Sequence, residues 1–265
     1  MPRIALWLLL LYLAMPASPV WAQAPFQTDD VEVAPKRHWH FEFNNEYDWL
    51  QASADPNLRQ NTSNFKVSYG LIDHLEVGFD NQLLAISNAP SPFLPNSVFG
   101  YGDIDLSVKW HVRKEKKGSP WPALGASLNL ELPTGDEQKQ LGSGVTDYYL
   151  NTMAQKSITE KNTVRLNAGI YFAGNTVTGA EGLRTTQGHV YTFGISVVRD
   201  FTSKLDLGIE TYAAVSGSFG RDQLQLSAGG NYKLKKNLSI DFALIKGFYE
   251  ASPTWGPLIG FSVDF

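Results

Sequence analysis

The sequence predicts an all-β fold: a transmembrane antiparallel up-and-down β-barrel of about 12 strands, preceded by a cleaved signal peptide. Three observations predict it. Beyond Lys36, apolar and polar residues alternate with a period of two, which is the strand signature because successive side chains point to opposite faces. Short connections alternate with long ones rich in Gly, Pro, Asn, Ser and Thr. After the first residues no continuous apolar run reaches the roughly 20 residues that a spanning helix needs.

Residues 1–22 read as the signal peptide. Arg3 supplies a minimal positive start, Ile4 to Met15 is almost purely apolar, and Pro16 to Pro19 interrupts that run. Val20-Trp21-Ala22 then presents a cleavage site. Cutting after Ala24 instead would put Pro25 beside the scissile bond. The expected destination is the outer membrane, reached through the secretory pathway. Residues 23–37 are expected to form a short periplasmic N-terminal segment, too few for a globular plug, and 38–265 the barrel.

Composition agrees with this division. Charged residues make up 18% and aromatics 12%, whereas soluble domains carry roughly 25% charge. Cys is absent, which excludes a disulfide-stapled small domain, thiol catalysis and thiolate metal sites. A formal charge of −4 gives no attraction for nucleic acid.

Twelve alternating stretches follow, at 38–49, 61–71, 74–86, 100–112, 121–133, 145–156, 163–173, 188–198, 204–215, 222–234, 238–249 and 256–265. Ile104, Leu106, Val108, Trp110 and Val112 alternate with Asp105, Ser107, Lys109 and His111. Leu124 to Leu132 and Val164 to Phe172 repeat the pattern. Each stretch is long enough to cross a bilayer at the tilt of a barrel strand. Connections at 71–74, 157–162, 199–204 and 235–237 are short and 113–120 is longer; 50–60, 87–99, 133–144 and 174–187 are long loops.

Alternation alone fits a soluble barrel as well. The outward rows decide for lipid, because they carry almost no charge, and a lysine or arginine at mid-bilayer costs about 2–4 kcal/mol. Trp110, Trp121, Phe172, Phe248 and Trp255 gather near strand ends, where interfacial girdles belong. Ile259, Phe261, Val263 and Phe265 form one apolar row, and Phe265 looks like the recognition signal for outer-membrane barrel assembly. The expected partners are therefore outer-membrane lipid and lipopolysaccharide, the barrel-assembly machinery, periplasmic chaperones and a small-molecule solute.

The inward rows place Glu42, Glu76, Asp80, Asp103, Asp105, Glu131, Asp147, Asp206, Glu210 and Asp241 against Lys66, Lys109, Arg165 and Lys233. Of these, Glu42, Glu76, Asp103, Asp105, Lys109, Glu131, Asp147, Arg165, Glu210 and Asp241 are the candidate solute pathway. An open lumen of this kind favours cations or neutral polar solutes. The same groups could instead pair across the wall and pack the barrel shut, and both readings stay open. Gly100-Tyr-Gly-Asp103 and Pro133-Thr-Gly-Asp136 flank long loops, where glycine and aspartate make turns, and could bind a cation or fold inward as a constriction.

A barrel hydrolase would need a nucleophile beside an oriented histidine. His38, His40, His74, His111 and His189 lack an obvious serine partner in register, so no catalytic residue is assigned. His38, His40, Glu42 and Asn44 share one face, but a spacing of two along a strand separates side chains by almost 7 Å. A neighbouring strand would have to complete any metal site, and neither metal nor cofactor is assigned.

Gly100-Tyr-Gly-Asp103 followed by Leu106 and Lys109, then Pro122-Ala-Leu124, Leu130-Glu-Leu-Pro-Thr-Gly-Asp136, Leu141-Gly-Ser-Gly144 and Asp147-Tyr-Tyr149, carry a resemblance. They resemble the outer-membrane transporter family linked to phenol-degradation (meta-pathway) gene clusters, most specifically over 100–172. The resemblance implies an outer-membrane channel or uptake barrel. The expectation is a non-enzymatic channel for passive uptake of small solutes, aromatic or hydrophobic compounds among them. A structural or surface-interaction barrel with a filled lumen, or a barrel hydrolase, are the alternatives.

Overall fold

A computed structural model describes residues 25–51, 57–88, 96–172, 188–216, 222–249 and 251–265; the expected signal peptide lies outside them. Twelve strands follow one another: β1 (Trp39–Trp49), β2 (Arg59–Ile72), β3 (Leu75–Ser87), β4 (Ser97–Arg113), β5 (Ala123–Leu132), β6 (Asp147–Ser157), β7 (Asn162–Phe172), β8 (His189–Asp200), β9 (Leu205–Ser216), β10 (Gln223–Lys235), β11 (Leu238–Gly247) and β12 (Gly256–Asp264). Each pairs antiparallel with the next, and β1 pairs with β12 from His40 opposite Asp264 to Glu46 opposite Leu258. The sheet is therefore closed, which leaves no unpaired edge to satisfy in lipid.

Every predicted stretch becomes one strand, with ends shifted by no more than three residues. The largest shift is at β4, which starts at Ser97 and not at residue 100. A bulge explains it: Asn81 faces Ile104 while Leu83 faces Tyr101, so Gly102 and Asp103 together oppose one residue of β3. An extra residue inverts the in–out alternation on either side of it. Tyr101 consequently points outward and is 67% exposed, although it has the same parity as the inward Asp105. The Asn81 amide donates to the Gly102 and Asp103 carbonyl oxygens, which satisfies the bulged backbone from the outer side.

The wall is inverted relative to a soluble domain. Central outward residues such as Leu166 and Ile195 are 48% and 46% exposed, whereas the inward Glu210, Ser239, Asp241 and Ser262 are almost fully buried. Apolar side chains facing out and hydrogen-bonded polar ones facing in suit a hydrocarbon surround. Aromatic rings crowd both rims. Trp39 packs on Tyr69 at 4.6 Å at the short-turn end, and Tyr47 packs on Trp49 at 4.9 Å at the long-loop end. Cations lie over rim rings too, Arg113 over Trp121 and Lys246 over Trp255.

Among the described residues, buried apolar side chains gather in two small clusters. Leu50, Leu58, Leu84, Ile86, Val98 and Leu141 close one side of the long-loop end. Val31, Ala123 and Met153 meet inside the barrel nearer the short turns. Val31 belongs to the segment before β1, so part of the interior is filled from outside the sheet.

Candidate functional site: the barrel lumen

Residues 25–36 run through the lumen as an extended strap. This departs from the expectation of a short periplasmic segment at 23–37. The strap leaves the barrel at Arg37, whose φ of 65° is left-handed. Its N–H donates to Gly70 O at 2.7 Å, and His38 N–H donates to Pro35 O at 2.9 Å. The chain then reverses into β1.

Polar groups of the wall hold the strap because its backbone would otherwise be buried without partners. The Glu210 carboxylate accepts from the Gln27 and Thr28 N–H groups, at 3.1 Å from Gln27. The Asn167 amide bonds both the Asp29 N–H and the Asp29 carbonyl, and Glu76 accepts from Ala34 N–H at 2.6 Å. Lys109 Nζ lies 3.0 Å from Asp29 and 3.2 Å from Asp30, and Arg165 lies 3.5 Å from Asp30. His111 faces Glu32 at 3.6 Å.

Space for the strap is carved by glycines on inward positions. A Cβ at Gly70 would lie 2.1 Å from Pro35 O, one at Gly194 would lie 2.6 Å from Thr28 Oγ1, and one at Gly208 would lie 3.0 Å from the Phe26 ring. These glycines answer a need for close approach. Burial alone would raise the Asp30 carboxyl, but the Lys109 and Arg165 cations outweigh it and hold it below the usual carboxylate range. Burial keeps Asp29 and Glu32 above that range.

Beyond the strap lies a cavity of about 360 Å³. The carboxylates of Asp29, Glu42, Glu46, Asp48, Glu76, Asp80, Asp105, Glu131 and Asp147 line it, against the ammonium groups of Lys66 and Lys109. Three tyrosines complete it. Tyr149 and Tyr171 are cross-strand partners stacked at 4.0 Å with rings 12° apart, and Tyr212 stands nearby on β9. Tyr149 belongs to the Asp147-Tyr-Tyr149 stretch of the family resemblance, but none of the three is among the candidate pathway residues, because tyrosine is ordinary at both lumen and rim positions. The adjacent register of Tyr149 and Tyr171 is what sets them apart.

The candidate residues therefore divide by what they touch. Glu42, Glu76, Asp105, Lys109, Glu131 and Asp147 line the cavity. Glu76, Lys109, Arg165 and Glu210 hold the strap. Asp241 accepts from Asn231 at 2.5 Å and from Ser262 at 2.6 Å within the wall. Asp103, aimed by the β4 bulge, accepts from Gly135 N–H at 2.8 Å and from Ser143 N–H at 2.7 Å. It thereby clasps the 133–146 loop, whose Leu141 enters the apolar cluster at the mouth. The two glycine–aspartate motifs are thus joined, with Gly100 making room for Leu141.

His40 has both ring nitrogens on carboxylates, Nδ1 at 2.6 Å from Asp264 and Nε2 at 2.8 Å from Glu42. Neither nitrogen is left to act as a base toward a substrate. His38 instead bonds Lys36 O at 3.1 Å, so the four residues of the suggested metal face do not converge. No group of three or more His, Asp or Glu side chains among the described residues is arranged to hold a metal ion. Phe265 exchanges backbone hydrogen bonds with Trp39 at the short-turn rim, at 2.7 and 3.0 Å.

A family model described as the MetA-pathway of phenol degradation matches residues 28–265. No curated protein matches the sequence. The fold is similar to that of an outer membrane channel from Pseudomonas putida F1, with a TM-score of 0.71 and 15% identity over 91% of this chain and 100% of that one. It is also similar to the KdgM porin, at a TM-score of 0.56 and 10% identity over 85% and 99% of the two chains. The NanC porin gives a TM-score of 0.56 and 10% identity over 84% and 98%. At these identities the likeness concerns the fold.

Proposed function

This chain belongs to the MetA-pathway of phenol degradation family, and from that premise we propose that it is an outer-membrane channel for passive uptake of small solutes, aromatic compounds among them. The observation that carries the proposal is the polar cavity between the long-loop mouth and the strap. Its volume of about 360 Å³ can hold a small solute, and it is lined by groups that can replace water around one. In this reading residues 1–22 direct export, the long loops face outside, and the short turns and the strap's exit at Arg37 face the periplasm. Phe265 marks the barrel for the assembly machinery and its chaperones, lipopolysaccharide surrounds the outer rim, and no chemistry is performed on the solute.

A second reading, a barrel closed by its own filling that works through its loops, draws support from the strap. Planar-bilayer conductance of residues 23–265, with reversal potentials in a salt gradient, separates the two. We expect small conductance steps with cations favoured, given the acid-rich lining. A folded barrel that conducts neither as it stands nor after deletion of 25–34 would overturn the channel.

A further inference from the structure

Resting on the reading of this lumen as the solute pathway, we propose that the cavity is a binding site for a small primary ammonium ion carrying an aromatic body. Three features of different kinds converge on it: a carboxylate ladder, a prepared tyrosine face and a buried amide oxygen without a partner.

The ladder is a matter of register. Asp80 is the cross-strand partner of Asp105, Asp105 of Glu131, and Glu131 of Asp147, so four carboxylates stand on neighbouring strands, all facing inward. Directly opposed residues have Cβ atoms about 5 Å apart, and like charges at that spacing repel. A cation seated against the row lowers this repulsion, whereas an anion meets it in full. Lys66 on β2 stands opposite Asp80 at one end of the row, and Lys109 on β4 is engaged by Asp29 and Asp30 of the strap.

The tyrosines say what kind of cation. Asp147 and Tyr149 are two residues apart on β6 and share its inward face, so the end of the ladder adjoins the Tyr149–Tyr171 stack. The Tyr149 ring is fixed in place: its hydroxyl is 3.0 Å from Thr192 Oγ1, and it lies over Gly169, where a Cβ would come within 2.5 Å of the ring. An aromatic face held rigidly beside carboxylates suits a body that stacks and a head that is positive. A bare metal ion would gain nothing from it.

Asn151, the next inward residue of β6, distinguishes the head group. It is 5% exposed and lines the cavity, and its Nδ2 donates to Asn167 Oδ1 at 3.2 Å. Its Oδ1 has no hydrogen-bond partner among the protein's own groups and is itself covered, so a donor in the cavity reaches it once the amide turns toward it. A buried acceptor left open costs stability until an N–H or O–H donor reaches it. A primary ammonium brings three such donors and a quaternary one none.

The test is calorimetric titration of the purified full chain in detergent with 2-phenylethylammonium, 2-phenylethanol and methylammonium. The aromatic ammonium should bind roughly tenfold or more tightly than the alcohol, and several-fold more tightly than methylammonium. Asp105→Asn and Glu131→Gln should each weaken it several-fold while leaving the alcohol unchanged. Tyr149→Leu should erase its advantage over methylammonium. Both carboxylate variants remove repulsion without changing shape, and heat-modifiable electrophoretic mobility verifies folding. Equal binding of ammonium and alcohol to the unaltered chain would overturn the site whatever the variants do. In a parallel bilayer experiment, conduction without ammonium preference sinks the site and leaves the channel. Ammonium binding to a barrel that never conducts sinks the channel and leaves the site.

Discussion

Replacing Lys109 with methionine should unseat the strap and raise single-channel conductance several-fold. Lys109 is 4% exposed, and its ammonium group sits between two carboxylates that belong to the strap. Methionine keeps most of the volume and removes the charge, so Asp29 and Asp30 would have to remain buried without their main partner. Breaking a buried ion pair on one side costs about 3–5 kcal/mol, a factor of hundreds or more in an equilibrium. The strap's only backbone bridge to the sheet among the described residues is at Lys36, and its other bonds to the wall are made by side chains, so it can leave without breaking the strand ladder. The cost is therefore met by departure. Adding Asp29→Asn to Lys109→Met, with Asp30 kept opposite Arg165, leaves each remaining charge a partner and should restore low conductance. Proteolytic nicking before Arg37 offers a second readout that depends on release and not on charge. If Lys109→Met conducts as the unaltered chain does and its strap stays uncut, then Glu76, Glu210 and the glycine-lined groove hold the strap without the ion pairs.

Why the barrel was legible and the strap was not follows from where each takes its partners. A strand such as β5 announces itself, because Leu124, Leu128 and Leu132 must all face lipid while Ser127, Asn129 and Glu131 face the lumen. Period two is a direct record of two solvents. At β4 the record is broken by one extra residue, and the strand looks three residues short from sequence. The strap has no period to read. Thr28, Asp30, Glu32 and Ala34 are bound by groups more than 40 positions away, on β3, β4, β7 and β9. Its trace in the sequence was indirect, in inward glycines such as Gly70 and Gly194 where a polar residue would otherwise serve. Period two shows which charged residues face inward, but it does not show their tasks. Glu210 and Arg165 look like pathway residues until the strap is present to occupy them. Asp103 shows the same limit at the other end, since its two backbone donors come from a loop over 30 residues later.

The outward face makes the other large prediction, because it tests the surround itself. Ile195 lies at the centre of β8, pairs with Leu166 and Thr211, and is 46% exposed. In water, arginine on an exposed central strand position would change stability little, since its charge stays solvated and its stem covers neighbouring apolar surface. In a bilayer the same side chain stands in hydrocarbon, and Ile195→Arg should cost about 2–4 kcal/mol. Phe201, at the short-turn rim with Arg199 already over its ring, gives the internal control. Phe201→Arg at the interface should cost about 0–1 kcal/mol from depth alone. The measurement is reversible denaturant-driven folding into lipid vesicles, comparing both variants with the unaltered chain. A gradient of cost from Ile195 to Phe201 is the mark of a membrane normal running along the strand. Equal, small costs at both positions would mean that the outer row faces water, and the inverted wall would then need another explanation.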